Sequence, residues 1–525
     1  MRAAGLKQAG DWKRRGTRSF LMAGLAVALV TLTGGCGNQY RPVVSAINPV
    51  GPAGQPVKYA VAISNPSTYP NNVVTGLVTF VDVSGDTVLS TPSLGGTSAT
   101  TPVVGGTGVS FPAPTTAGTA TVAPSPVVVN PNDFVLSDSG SEAFVLNDQG
   151  AFTDFGVSNP TSLLTQNIVV TQLGGAPSGV QAFSLPTTGT TILVPQPNTA
   201  PQSISELEIT SGPSLLQNLA VPNPVYVVGT DSAQRVYAIS SNGAGNGIVY
   251  PIENTPVSID TGNLITVGVN PVYGVMTADG NRAFILNKGS GTVSVINVPS
   301  NGLDAGIPAN VQTNTPLGTF RLPNTASGAA PDPVWADFST VSSEMVVLNQ
   351  GDGVHPGSLS IISIPLCNIN TPVTSPNCSA TNPVDAAGFG TIIATVPVGI
   401  NPTMVSVLAD GSRAYVVNSG TLPSGSNPGV EGSVSVVNLT TNQVITIPAI
   451  SNPSVTQTAS GTGSSPTMVY GHPNTVAATT GTPTGKVYVT SPDNQFLTII
   501  ETDIDAVDTH ISLQGLGVRV LVNAK

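Results

Sequence analysis

Three histidines, His355, His472 and His510, are the residues of this chain best suited to holding a metal or moving a proton near neutral pH. No two of them have metal-ligand spacing. His355 and His472 each precede a proline, which predicts loop positions with structural roles. Asp503, Asp505 and Asp508 form the densest acidic cluster, a chemistry that suits calcium, but the spacing lacks the glycine and closing glutamate of an EF-hand. A solvated hairpin is the expectation there, and Asp82 and Asp86 are read as turn residues. Cys367 and Cys378 stand eleven positions apart in a Pro- and Asn-rich stretch, and the spacing is not that of a C-x-x-C redox motif. In an oxidising compartment the pair is expected to form a disulfide, which for a loop of that size is worth about 3 kcal/mol; two unrelated thiols are the alternative. Neither a G-x-S-x-G elbow nor a phosphate-cradling G-x-x-x-x-G-K occurs. These residues predict no catalytic constellation, no metal and no cofactor.

Composition limits the elements that could position any such chemistry. The chain has 525 residues, of which 16 are basic and 27 acidic, so only 8% are charged, yet 40% are hydrophobic. It is therefore able to fold and is not a charge-rich disordered chain. Fifty-seven glycines and 46 prolines, with abundant Ser, Thr, Asn and Val, favour strands and turns over helices. A helix bundle, a coiled coil and an α/β enzyme are disfavoured. A net charge of −11 argues against a nucleic-acid partner, because it repels phosphate.

The first 35 residues read as an export signal. Arg2, Lys7, Lys13, Arg14, Arg15 and Arg18 precede an uncharged, largely apolar run from Phe20 to Leu32, and Thr33-Gly34-Gly35-Cys36 follows. Thirteen residues is short for a bilayer span, which needs about 20. The ending Leu32-Thr33-Gly34-Gly35-Cys36 resembles a bacterial lipobox, although Thr33 stands where that motif prefers leucine. The resemblance implies that Cys36 is lipidated and becomes the N-terminus; an ordinary cleaved signal with an incidental cysteine is the alternative. Removing the signal leaves 10 basic and 26 acidic residues, a net charge of −16 that suits a solvated protein outside the cytoplasm. Residues 36–54 then read as a tether.

From residue 55 to 525 the chain repeats. Val267-Gly268-Val269-Asn270-Pro271 recurs as Val398-Gly399-Ile400-Asn401-Pro402, and ten of 21 positions from Val267 and Val398 onward are identical. Gly291-Thr-Val-Ser-Val-Ile-Asn297 recurs as Gly432-Ser-Val-Ser-Val-Val-Asn438, after a ten-residue insertion in the later copy. Marker prolines at 131, 177, 224, 271, 333, 402 and 466 are separated by 46, 47, 47, 62, 69 and 64 residues, and those at 177 and 466 head looser copies. Periods in the forties, lengthened by loops, are those of propeller blades. Within one repeat, Val272–Thr277 predicts a first strand and Ala278–Asn281 a tight turn. Ala283–Leu286 predicts a second strand buried on both faces, and Thr292–Asn297 a third. The marker proline sits just ahead of the first strand, where no ladder hydrogen bond is lost.

The pattern Val-Gly-x-Asn-Pro, Asp-Gly, Arg413-Ala-Tyr-Val-Val-Asn418 and Gly432-Ser-Val-Ser-Val-Val-Asn438 resembles the YVTN-type β-propeller repeat, and Lys486-Val-Tyr-Val-Thr490 is similar again. The resemblance implies a propeller; the wider group includes surface-layer proteins, lactonase-like enzymes and exported proteins without known activity. In that fold Trp335 and Tyr273, just after their marker prolines on first strands, either line the central channel or pack in the core.

The expected fold is thus all-β: a single propeller of four-stranded antiparallel blades, eight by repeat count, with seven as the alternative. Gly517–Val522 reads as a lone first strand, and Val57–Ser64, Gly76–Asp82 and Thr87–Ser90 read as the remainder of the same blade, so the termini close the ring. Residues 91–126 are Thr/Pro/Gly-rich and read as a surface loop. Two functions fit this outline. One is a non-catalytic binding or scaffold module of the cell envelope, held to the membrane by its N-terminal lipid and recognising an envelope protein, peptide or glycan. The other, carried by resemblance alone, is an exported lactonase-like or quinoprotein-like enzyme, which would require clustered ionisable groups at one end of the channel.

Overall fold

The computed structural model describes residues 58–65, 75–94, 97–98 and most of 129–523; the longest stretches outside the description are 1–57, 99–128, 299–315, 366–387 and 451–466. Eight antiparallel sheets account for the repeats. Blade 1 runs Pro131–Leu136, Glu142–Asn147, Ala151–Gly156 and Val169–Gln172, and blade 2 runs Gln181–Leu185, Gly189–Gln196, Ser203–Glu208 and Ser214–Ala220. Blade 3 is Pro224–Val228, Arg235–Ser240 and Asn246–Asn254, with Val257–Ile259 and Ile265–Val269 sharing its outer edge. Blade 4 is Pro271–Met276, Arg282–Asn287, Thr292–Asn297 and Pro316–Arg321, and blade 5 is Pro333–Ser339, Glu344–Asn349, Pro356–Ser363 and Ile392–Ile400. Blade 6 is Pro402–Val407, Arg413–Asn418, Ser433–Asn438 and Val444–Ile450, and blade 7 is Thr475–Ala478, Lys486–Thr490, Phe496–Glu501 and Ala506–Ser512.

Blade 8 joins the two ends of the chain. Leu516–Val522 is its inner strand and pairs antiparallel with Tyr59–Asn65, followed outward by Leu77–Asp82 and Thr87–Ser90. Inner strands of successive blades touch all the way round, from blade 8 to blade 1 and back, so the sheets form a closed ring of eight.

Each blade interface is a separate core. Second strands such as Arg282–Asn287 are buried at every position. Their side chains alternate between neighbours: Ala283 and Ile285 pack toward blade 3, and Phe284 and Leu286 toward blade 5. Eight apolar clusters serve the eight interfaces, which is how a single propeller can exceed the size at which one core stops growing.

The repeat's letters are explained by contacts between blades. Asn223, Asn270, Asp332 and Asn401 precede the marker prolines with φ of 43°, 50°, 48° and 52°, a left-handed conformation that Asn and Asp tolerate best among residues with a Cβ. Their carbonyls accept from the N–H one residue past the second strand, at 3.0 Å in each case (Ser241, Lys288, Gln350 and Ser419). The proline rings then lie on a glycine of the preceding blade: a Cβ on Gly247 would meet Pro271 at 2.2 Å, one on Gly357 would meet Pro402 at 2.6 Å, and one on Gly432 would meet Pro473 at 2.5 Å.

The asparagine that ends the second strand is wholly buried in blades 4, 5 and 6 and donates to hydroxyls on the third strand: Asn287 to Thr292 and Ser294, Asn349 to Ser358 and Ser360, Asn418 to Ser433 and Ser435. The Ser-Val-Ser pattern supplies those hydroxyls. Gly268 and Gly399 make room for this asparagine, since a Cβ there would approach Asn287 at 2.7 Å and Asn418 at 2.6 Å.

Three details differ from expectation. Pro177 and Pro466 lie outside the described residues; their blades begin at Gln181 and Thr475, and in blade 7 the covering proline is Pro473. Within the stretch read as a surface loop, Thr97–Ser98 pairs in parallel with Val169–Val170, adding an outer strand to blade 1. The acidic hairpin is not uniformly solvated: Asp503 is exposed, whereas Asp505 is buried because blade 6 reaches into it.

Candidate functional site

Two sets of ionisable groups stand out among the described residues, one at the starts of second strands and one at the axis. The first set stems from the position that opens the second strand, which is basic in blades 3, 4, 6 and 7. Arg413 of blade 6 places Nε 2.9 Å from Oδ2 of Asp505 in blade 7, and Tyr415 donates its hydroxyl to Oδ1 of the same carboxylate at 2.5 Å. Burial, with the Asp505 charge beside it, pushes the Tyr415 phenol far up. Lys486 of blade 7 repeats the device by pairing with Asp86 of blade 8. Asp505 and Asp86 occupy the same place in their hairpins, with φ of 51° and 52°. Arg235 instead pairs within blade 3, with Glu253 at 2.9 Å and Asp260 at 3.4 Å, and the fully buried Arg282 donates to Asn297 at 2.5 Å.

Blades 1 and 5 depart from this pattern, with Glu142 and Glu344 opening their second strands. In blade 1, Asp154 stands at a third-strand register that is Val295 in blade 4 and Val436 in blade 6. Burial, with the like charge of Glu142, pushes the Asp154 carboxyl up to about 7.

The second set is built by a bulge. In blades 1, 3, 4, 5 and 6 the register of the inner strand slips between the marker proline and the residue two positions later, and in blade 8 it slips between Gly517 and Arg519. A bulge re-aims a side chain. The residues so placed are Asp133, Tyr226, Tyr273, Trp335, Met404 and Arg519, and five of them meet as a collar at the axis. Tyr226 and Tyr273 have ring centres 4.8 Å apart, and Tyr273 stacks on Trp335 at 4.2 Å and 19°. The Arg519 guanidinium lies over the Trp335 ring, 5.4 Å from its centre, and Arg519 forms an ion pair with Asp133. Because blades 5 and 8 are three apart, the Trp335–Arg519 contact spans the channel.

Burial pushes the Tyr226 phenol up to about 12, with the Arg519 charge opposing the shift, and drives Tyr273 further in the same direction. Asp337, two residues beyond Trp335, is tied to the backbone: Phe338 N–H donates to it at 2.9 Å and Val407 N–H of blade 6 at 2.8 Å.

Trp335 and Tyr273 thus reach the channel rather than being confined to one interface. Asp133, Tyr226, Met404 and Arg519 were missed, although counting two residues on from each marker proline finds all but Arg519. The histidines are dispersed. His355 pairs with Asp352 at 2.7 Å on the surface, and His472 pairs with Asp493 at 2.7 Å in a buried turn. His510 stacks on Tyr470 at 3.8 Å with Nε2 2.9 Å from the Met468 carbonyl, and burial holds its imidazole below the usual range. Among the described residues no three His, Cys, Asp or Glu side chains are grouped to hold a metal ion. Cys36, Cys367 and Cys378 lie outside the described residues.

No family model matches the chain, and no curated protein matches it. Solved structures do. Dihydro-heme d1 dehydrogenase NirN is 12% identical with a TM-score of 0.51, over 89% of this chain and 76% of that one. AztD of Citrobacter koseri is 10% identical with a TM-score of 0.48, over 89% and 97%. The periplasmic gluconolactonase PpgL of Pseudomonas aeruginosa is 16% identical with a TM-score of 0.45, over 74% and 94%. At these identities the likeness is one of fold alone.

Proposed function

We propose that this chain is an extracytoplasmic binding module of the cell envelope, anchored through lipidated Cys36, stapled by Cys367–Cys378 and built from YVTN-type repeats, which recognises its ligand at the channel mouth above the collar. The collar is the observation that carries this reading. A propeller axis can be filled by aliphatic side chains, yet equivalent inner-strand positions here supply three aromatic rings, a guanidinium and a carboxylate. Aromatic surface with a few fixed polar groups is the composition of a ligand seat. Strand starts, fourth-to-first connections and second-to-third loops share one face of the ring, and the collar lies about 7 Å below it by strand rise.

Capture from detergent-solubilised membranes by the protein lacking residues 1–35 tests the reading. The expected result is a component retained by the parent and lost with Trp335→Ala. Equal retention by a folded Trp335→Ala variant contradicts it. The Asp133 carboxylate and the two collar tyrosines also give the exported-enzyme alternative one concrete form, a lactone hydrolase acting at the collar. Gluconolactone turnover that falls in Asp133→Asn supports that alternative, and absence of turnover by the parent removes it.

A further inference from the structure

We propose that the collar is the seat of a neutral saccharide ring; the inference rests on the binding reading above. The donors and charges at the axis decide the ligand class. Arg519 uses Nη1 for Asp133, while its Nε–H is buried and meets no acceptor among the described residues. A buried donor without an acceptor is costly, so a ligand that brings an oxygen to it gains affinity. That oxygen does not belong to an acid. The one guanidinium of the collar is already matched by the carboxylate of Asp133, so the collar offers no spare positive charge to an acid, on a chain whose net charge is −11. A hydroxyl fits, since it accepts from Arg519 and donates to Asp133 through the same atom.

Tyr273 and Trp335 are stacked on each other, with Tyr226 and Arg519 beside them, so the apolar surface left for the C–H face of a sugar is the exposed part of these half-buried rings. Trp335 and Arg519 hold each other in place across the channel, so the seat is organised before the ligand arrives.

The test is calorimetric titration of the protein lacking residues 1–35 with cellotetraose, chitotetraose, xylotetraose and oligogalacturonate. Saturable binding of a neutral oligosaccharide is expected, together with weaker or absent binding of the uronic acid. Arg519→Lys, which keeps the charge and removes the planar fork, should weaken the neutral ligand by about tenfold or more. Tyr226→Phe, which keeps the ring, should change it much less. Melting curves show whether each variant is folded, and saturation-transfer NMR on the parent identifies the sugar face without any variant. If none of the neutral oligosaccharides binds while membrane capture still depends on Trp335, the saccharide assignment is overturned and the binding reading stands. Tighter binding of oligogalacturonate than of every neutral sugar overturns the charge argument. Failure of both sugar binding and Trp335-dependent capture overturns both readings.

Discussion

Asp154 shows how one residue can set a pH dependence. Its carboxyl titrates near 3.8 in an open chain and at about 7 in blade 1, so the folded state binds the proton more tightly than the unfolded state. The stabilising contribution is then complete below pH 4 and is lost as pH rises toward 7. Well above that pH the charged form costs on the order of 4 kcal/mol. Asp154→Asn should therefore raise the melting temperature at pH 8 and leave it unchanged at pH 3.5. An equal gain at both values would show that the carboxyl is not the titrating group. Asp505 makes the opposite case. Asp505→Ala leaves Arg413 and the Tyr415 hydroxyl without their shared acceptor and should cost about 1–3 kcal/mol in chemical denaturation. Asp503→Ala, exposed in the same hairpin, should cost almost nothing. The sequence showed these acids as one cluster because spacing reports local charge. Which of them is buried depends on a residue of the preceding blade some 90 positions away.

At the scale of the element, the unit is the junction between blades. The glycine under the marker proline has no room for a methyl group, so Gly247→Ala should cost about 1–3 kcal/mol, whereas Gly156→Ala, with nothing within 4 Å of its Cβ, should be neutral. Comparison of their denaturation midpoints checks this. Much of the element scale was legible. The first three strands of blade 4 begin and end within one residue of expectation, because their hydrophobic runs, turns and proline all point the same way. Blade 2 was hard to place because its copy of the repeat is loose. The bulge was invisible. It is a register slip between strands, and only superposition of all inner strands reveals that Asp133, Tyr226 and Arg519 share a site with Trp335 and Tyr273.

For the whole molecule, closure by the two ends is the central claim, because it fixes the radius at which the collar can meet. Arg519 sits on the last strand of the chain, and reaches Asp133 in blade 1 and Trp335 in blade 5 only if Leu516–Val522 is paired with Tyr59–Asn65. An open ring would separate those residues and expose two blade faces with an unpaired strand edge, a template for aggregation. Loop length, by contrast, changes stability slowly, so shortening residues 101–126, read from their Thr/Pro/Gly-rich sequence as a surface loop, should be nearly harmless. The most direct measurement is the melting temperature of the protein lacking residues 515–525 against that of the 101–126 deletion. The account predicts that the C-terminal deletion melts far below the parent, aggregates and loses collar binding, while the loop deletion melts close to the parent; a C-terminal deletion that melts with the parent would contradict closure of the ring.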